Sequence, residues 1–141
     1  MSDKNKPYLI NFPKIGESDL GYISVVENQI NIPFKIRRVF WCYHTPDNVV
    51  RGRHAHHQTE MILIAVSGRI IVNTEMPDGE IKVFSLESPS QGLFIPNYCW
   101  HTMQYNHISV QLVLANLEYS ESDYIRSYDE FKKLIKKKKK R

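Results

Sequence analysis

The chain has 141 residues, 42% of them hydrophobic and 11% aromatic, which suits one globular domain able to bury most of its apolar surface. Its formal charge of +4 misleads, because six cations fall in Lys136–Arg141 and the rest of the chain sets 13 basic side chains against 15 acidic ones. That balance argues against a nucleic-acid partner, whose binding module spreads basic groups over a folded face, and no apolar run is long enough to span a membrane as a helix.

We therefore expect a single domain over residues 1–135 and a basic, disordered tail over 136–141. The opening Met1-Ser2-Asp3-Lys4-Asn5-Lys6 holds no apolar leader, and the two cysteines, Cys42 and Cys99, have no CxxC partner. Both features point to free thiols in a reducing, cytoplasmic setting.

In chain order, short extended pieces are predicted at Tyr8–Phe12 and Tyr22–Glu27, on either side of a turn at Gly16-Glu17-Ser18-Asp19. Ile36–Tyr43 is rich in β-branched and aromatic residues and reads as a strand, after which Thr45-Pro46-Asp47-Asn48 turns the chain. The polar stretch Arg51–Glu60 then runs directly into the apolar strand Met61–Val66. Ser67-Gly68-Arg69 turns into Ile70–Thr74, Pro77-Asp78-Gly79 is a hairpin signal, and Ile81–Leu86 alternates like a half-buried strand. Leu93–Pro96, Trp100–Tyr105 and Val110–Ala115 supply further strands. Only the end reads as helix: Ser127-x-x-Glu130 has the capping-box form, and Tyr128, Phe131, Leu134 and Ile135 recur at helical spacing. Many short strands and one C-terminal helix predict an all-β barrel or double-sheet jelly roll.

The chemistry concentrates in Arg51–Glu60. Residues two apart on a strand point the same way, so His54, His56 and Glu60 are expected on one face, with Ala55 and His57 on the other. Polar groups aimed inward at the head of so apolar a run must be hydrogen-bonded or chemically active. Histidine exchanges protons near neutral pH and suits acid–base work, although a pair of bonded structural histidines would leave the same pattern. His101 arrives from a separate strand and could face the same cavity, whereas His44, His57 and His107 read as loop or outward positions. Together with Glu60, the three inward histidines would also make a donor set for a transition metal. Arg38 and Arg51 offer guanidinium forks for phosphate oxygens. Trp41, Tyr43, Tyr98 and Trp100 offer aromatic faces to a ring, or fill the core.

His54-x-His56-x3-Glu60, followed by Gly92-x3-Pro96-x4-His101, resembles the two sequence motifs of the cupin jelly rolls. Arg51-Gly52-x-His54-Ala55-His56, Gly92–Pro96, Trp100-His101 and Asp123–Phe131 narrow the match. Over residues 8–135 the chain is similar to the cupin-fold dTDP-sugar 3,4-ketoisomerases. The resemblance implies a cupin jelly-roll barrel with a short C-terminal α-helix. It also implies a homodimer with exchanged N-terminal strands, and a dTDP-linked keto-deoxysugar held inside each barrel. Those enzymes convert dTDP-4-keto-6-deoxyglucose into a 3-keto isomer through an enediol, without a metal or other cofactor, in the synthesis of deoxysugars such as those of lipopolysaccharide O-antigen.

On that reading His56 is the base at C3, His54 its partner, and His101 a proton donor at C4, which leans toward a galacto product. Arg51, Arg38, Trp41, Tyr43, Glu60, Tyr98 and Trp100 would surround the substrate, with Glu60 fixing a histidine tautomer. Arg126 would tie the C-terminal segment to the barrel. Two positions depart from the family pattern: Met61 stands where glutamine is common, and Phe40-Trp41 where tyrosines are. Two other readings stay open at this point: a non-catalytic sugar-binding cupin, and a metal-dependent dioxygenase or isomerase built on His54, His56, Glu60 and His101.

Overall fold

The computed structural model describes residues 5–139, with side chains as far as Leu134. The first strands are β1 (Tyr8–Asn11), β2 (Ile15–Glu17), β3 (Gly21–Ile23), β4 (Arg38–Tyr43), β5 (Val50–His56) and β6 (Met61–Ser67). They are followed by β7 (Ile70–Glu75), β8 (Ile81–Leu86), β9 (Gln91–Ile95), β10 (Trp100–Tyr105), β11 (Val110–Ala115), β12 (Tyr124–Ile125) and the helix α1 (Tyr128–Lys139). Two antiparallel sheets form, in the orders β1-β9-β6-β11-β4 and β12-β5-β10-β7-β8, and β2-β3 make a separate hairpin. The expected double-sheet, all-β architecture with one C-terminal helix is what the chain adopts.

The core between the sheets takes Met61, Leu63 and Ala65 from β6, Val113 and Ala115 from β11, Leu93 and Ile95 from β9, and Ile70, Val72 and Met103 from the facing sheet. Ile62 and Ile64 point the other way, where Phe12, Ile32 and Phe34 of the N-terminal segment cover them. A strand buried on both faces needs no polar alternation, which is why Met61–Val66 reads as an unbroken apolar run. Each such side chain contributes roughly 1.5–3 kcal/mol on burial. A third cluster joins Ala55, Ile125 and Phe131 beneath α1.

Several boundaries differ from the sequence expectations. β2 runs through Gly16 and Glu17, so the turn falls later, and the strand expected over Tyr22–Glu27 stops at Ile23. The polar stretch bends at His57 and Gln58 rather than continuing as one strand into β6. The two-residue β12 was not anticipated. Ser127 Oγ accepts the backbone N–H of Glu130 at 3.3 Å, as the capping box requires. Helical backbone extends to Lys139 where a disordered tail was expected from 136, and Lys140 and Arg141 lie outside the described residues. Cys99 is buried, Cys42 half-buried, and both are free. Among the described residues no helix is long and apolar enough to cross a membrane.

Candidate active site

A bulge organises the site. In the β5–β10 pair His54 lies opposite His101 and Gly52 opposite Thr102, which leaves Arg53 as an extra residue. Gly52 at φ 87° and Arg53 at φ 59° supply the left-handed backbone this needs. Strict alternation would place Arg51 on the face opposite His54. The bulge cancels that, pairing Arg51 with Met103 and His54 with His101, so both leave the sheet on the face of Met103 and His101, His54 half-buried and Arg51 exposed. Glycine is required here: a Cβ on residue 52 would stand 2.8 Å from the His101 carbonyl oxygen.

Three imidazoles converge on this inward face. His101 is fully buried, His56 is 2% exposed and His54 is half-buried. The His54 ring stands steeply against both others, 5.0 Å and 80° from His56 and 4.8 Å and 78° from His101. His56 and His101 are closer to parallel, 6.1 Å apart. His54 Nδ1 donates to the Gly52 carbonyl at 3.0 Å, and His101 Nδ1 to that of Cys99 at 3.0 Å. A carbonyl can only accept, so Nδ1 carries the proton in both rings and each Nε2 presents a lone pair. The Nε2 atoms of His56 and His101 are buried without a hydrogen-bond partner.

All three rings are held neutral. Burial, then the neighbouring His101 and His56, bring the His54 pKa down to about 2, against a smaller upward pull from the Gly52 bond. Burial, then His101, Arg38 and Arg126, bring His56 to about 3. Burial lowers His101 as well. A lone imidazolium is thus disfavoured. Taking a proton from carbon is a different case, because it creates an imidazolium and an enediolate together, a pair with no net charge. The attraction within such a pair offsets part of the penalty that burial places on a single ion.

The rim comes from β4 and the C-terminal segment. Arg38 faces inward near His56; its Nε is buried without a partner, and its guanidinium lies 5.3 Å from the Phe40 ring and 5.7 Å from Tyr119. Tyr124 pairs with His56 across β12–β5, and its ring sits 4.5 Å from His56 and 5.1 Å from His54. Arg126 lies 4.2 Å over the Tyr124 ring and binds Glu121 through Nε at 2.6 Å and Nη2 at 2.9 Å. That fork holds the exposed Glu121 carboxyl down to about 2, with Tyr119 as a second donor. Sequence reasoning missed Tyr124, whose only signal was the Asp123–Phe131 block, and Tyr119 and Glu121, which precede that block and carried none.

Other expected site residues fall elsewhere. Trp41 and Tyr43 alternate with Arg38, Phe40 and Cys42, so they point out of the barrel, Trp41 60% exposed. Trp100 adjoins His101 in β10 and faces the opposite side, against Tyr128 and Phe131 beneath α1. Tyr98 has φ 57°, donates its N–H to the His56 carbonyl at 2.7 Å, and stacks edge-on with the outward His57. Glu60 lies past the bend, where its carboxylate accepts from Asn116 Nδ2 at 3.2 Å. The expected common face with His54 and His56 is lost, because alternation holds only while the strand continues. His54, His56, Glu60 and His101 therefore do not fit a metal centre, and among the described residues no three His, Cys, Asp or Glu side chains are grouped to hold an ion.

Comparison with known proteins gives a consistent result. Residues 5–136 match the family described as FdtA: WxcM-like, C-terminal. The chain is 41% identical over 133 residues to a TDP-4-oxo-6-deoxy-alpha-D-glucose-3,4-oxoisomerase from Aneurinibacillus thermoaerophilus, covering 92% of each chain. Its structure superposes with TM-score 0.88 on QdtA, a sugar 3,4-ketoisomerase from Thermoanaerobacterium thermosaccharolyticum crystallised with TDP. That match is at 35% identity, over 94% of this chain and 96% of QdtA. The TDP-quinovose 3,4-ketoisomerase WlaRB of Campylobacter jejuni superposes with TM-score 0.84 at 32% identity, over 90% and 97% of the two chains.

Proposed function

Because this chain belongs to the FdtA (WxcM-like, C-terminal) family, we propose that it is a TDP-sugar 3,4-ketoisomerase, moving the ketone of a TDP-linked 4-keto-6-deoxyhexose from C4 to C3. The observation that carries the reading is the pair of buried Nε2 atoms of His56 and His101, on one inward face and without hydrogen-bond partners among the described residues. Orphaned polar atoms in a core are costly unless a ligand meets them.

In this mechanism His56 takes the C3 proton, which the neighbouring carbonyl acidifies. The C3–H electrons become the C3=C4 double bond and the carbonyl electrons move onto O4. His54 passes the O3 proton to O4, and C4 is then reprotonated as the ketone forms at C3. Electrons stay within the sugar, so no external oxidant or reductant is consumed. His101 would deliver the C4 proton once its Nε2 has received the one His56 removed from C3, relayed through His54, whose ring lies 5.0 Å from His56 and 4.8 Å from His101. Delivery on the ring face that the C3 proton left would give the galacto product, and on the opposite face the gluco product. Arg38, with a buried free Nε near His56, is placed for a substrate oxygen.

The working unit is a homodimer with exchanged N-terminal strands, in which the β1–β9 pairing made here within one chain would be made with β9 of the second copy. The outward apolar side chains of β4 (Val39, Trp41, Tyr43) and of the β2–β3 hairpin (Ile15, Tyr22, Ile23) support that reading, since a second copy would cover them.

The test is to incubate the protein with TDP-4-keto-6-deoxyglucose in deuterated buffer containing EDTA and follow the sugar protons by NMR. Isomerisation with deuterium entering the ring supports the proposal, and the coupling constants at C4 report gluco or galacto. Tight binding without turnover would instead indicate a sugar-binding cupin. Turnover lost to EDTA and restored by iron or manganese would indicate a metal enzyme.

A further inference from the structure

We propose that Tyr124 is a positioning residue for the histidine pair: its ring is the wall that fixes the His54 and His56 imidazoles in their working orientation. The inference rests on the ketoisomerase reading and adds a residue that need not touch the substrate.

Backbone pairing makes the contact obligatory. Tyr124 and His56 are direct partners across β12–β5, so their side chains leave the sheet on the same face. The rings meet at 4.5 Å and 59°, the shortest ring contact His56 makes, and Tyr124 also reaches His54 at 5.1 Å and 68°. His56 Nε2 has no hydrogen bond to hold it, so packing must set that ring's tilt. His54 is tied at Nδ1 alone. Three rings stand steeply around it, His56 at 80°, His101 at 78° and Tyr124 at 68°. Of those walls, His56 is itself the imidazole whose tilt needs fixing, and His101, on β10, is tied to the Cys99 carbonyl; Tyr124, on β12, packs against both His54 and His56.

Tyr124 is itself braced. The Arg126 guanidinium covers its ring at 4.2 Å, Glu121 grips Arg126 through two bonds, and the Tyr119 hydroxyl donates to Glu121 at 2.5 Å. On its N-terminal side, the Asp123 carboxylate accepts the backbone N–H groups of Gln58 at 2.8 Å and Thr59 at 3.1 Å, just past β5. The brace therefore runs from the exposed Glu121–Arg126 pair through one ring to both histidines. Proton transfer to and from carbon depends on the angle between the Nε2 lone pair and the C–H bond, so a loosened imidazole slows the chemical step more than it weakens binding.

The experiment compares Tyr124→Phe with Tyr124→Leu in the deuterium-exchange assay, alongside long-range ¹H–¹⁵N spectra of the imidazoles without substrate. Tyr124→Phe keeps the ring and should keep kcat within about threefold, whereas Tyr124→Leu should lose at least about tenfold in kcat with little change in KM, equal to about 1.4 kcal/mol of barrier. The spectra should shift at His54 and His56 in the leucine variant and stay near wild type in the phenylalanine one. A leucine variant with wild-type kcat and unmoved imidazole signals overturns the proposal. A phenylalanine variant as slow as leucine also overturns it, by moving the role to the hydroxyl. If leucine prevents folding, Tyr124→Met fills the space without a planar ring and is judged by the same criteria. Absence of turnover in the wild type would refute the ketoisomerase reading instead, while the spectra still decide whether Tyr124 fixes the rings.

Discussion

Replacing Gly52 by alanine tests the bulge that turns Arg51 and His54 to one side. The new methyl would stand 2.8 Å from the His101 carbonyl oxygen and 3.1 Å from Met103 Cε, on backbone at φ 87°. Left-handed backbone costs a side-chain-bearing residue roughly 1–2 kcal/mol, and pressing a methyl into occupied space costs roughly 1–3 kcal/mol more. A total of about 2–5 kcal/mol lowers the melting midpoint of a domain this size by about 6–15 °C. Relief requires β5 to move away from β10, which separates His54 from His101; a shift of about 1 Å in a catalytic group costs about a hundredfold in rate. Calorimetry and the NMR isomerisation assay on the same preparation check both expectations. Arg53→Gly is the control, because it keeps the left-handed backbone at φ 59° without a side chain and should stay within about 1 kcal/mol of wild type. Gly52→Ala melting within about 2 °C of wild type, with unchanged kcat, would refute the claim that this bulge sets the site.

Other outcomes follow from the same geometry. His56→Ala removes the proposed base and should cost about 10²–10⁴-fold in kcat while the circular dichroism spectrum stays native; a wild-type rate would remove that assignment. Stability should fall with acid: the folded-state pKa values of about 2 for His54 and about 3 for His56 lie below the unfolded value of 6.5. The unfolded chain therefore binds more protons between those limits, so stability is full above pH 6.5 and drains as pH falls toward 3, by up to about 1.4 kcal/mol per pH unit for the buried His56. Urea titrations at pH 7.5 and 5 check this, and equal stability at both would contradict it. Asp123→Ala removes a carboxylate bonded to Gln58 N, Thr59 N and Thr59 Oγ1 and should cost about 3 kcal/mol. Asp123→Asn should cost less, as read by the urea midpoint.

The strands were legible because β6, β7, β10 and β11 carry runs or alternations that match their burial, and the histidines because inward polar groups stand out against them. What failed did so for identifiable reasons. Trp41 and Tyr43 alternate correctly, but both faces of their sheet are apolar, so alternation alone could not say which side is the interior. Trp100 could have been placed: a residue next to His101 on a strand must face away from it. Glu60 was misplaced because a two-residue bend breaks the period without a glycine or proline to announce it. The bulge did leave a mark, Gly52 inside a strand pattern, but its register exists only against β10. Tyr124 lies on a strand too short to show periodicity, so only its fixed place beside Asp123 and Arg126 hinted at a role.

The Asp123 clamp has a consequence for synthesis. Tyr119, Glu121, Tyr124 and Arg126 follow β11, the last strand of the two main sheets apart from β12, so those sheets could close while one side of the catalytic chamber is still missing. Competence would then arrive late and abruptly, when the last edge strand docks. A product cut short ahead of residue 119 would be a compact vessel with an unfinished wall.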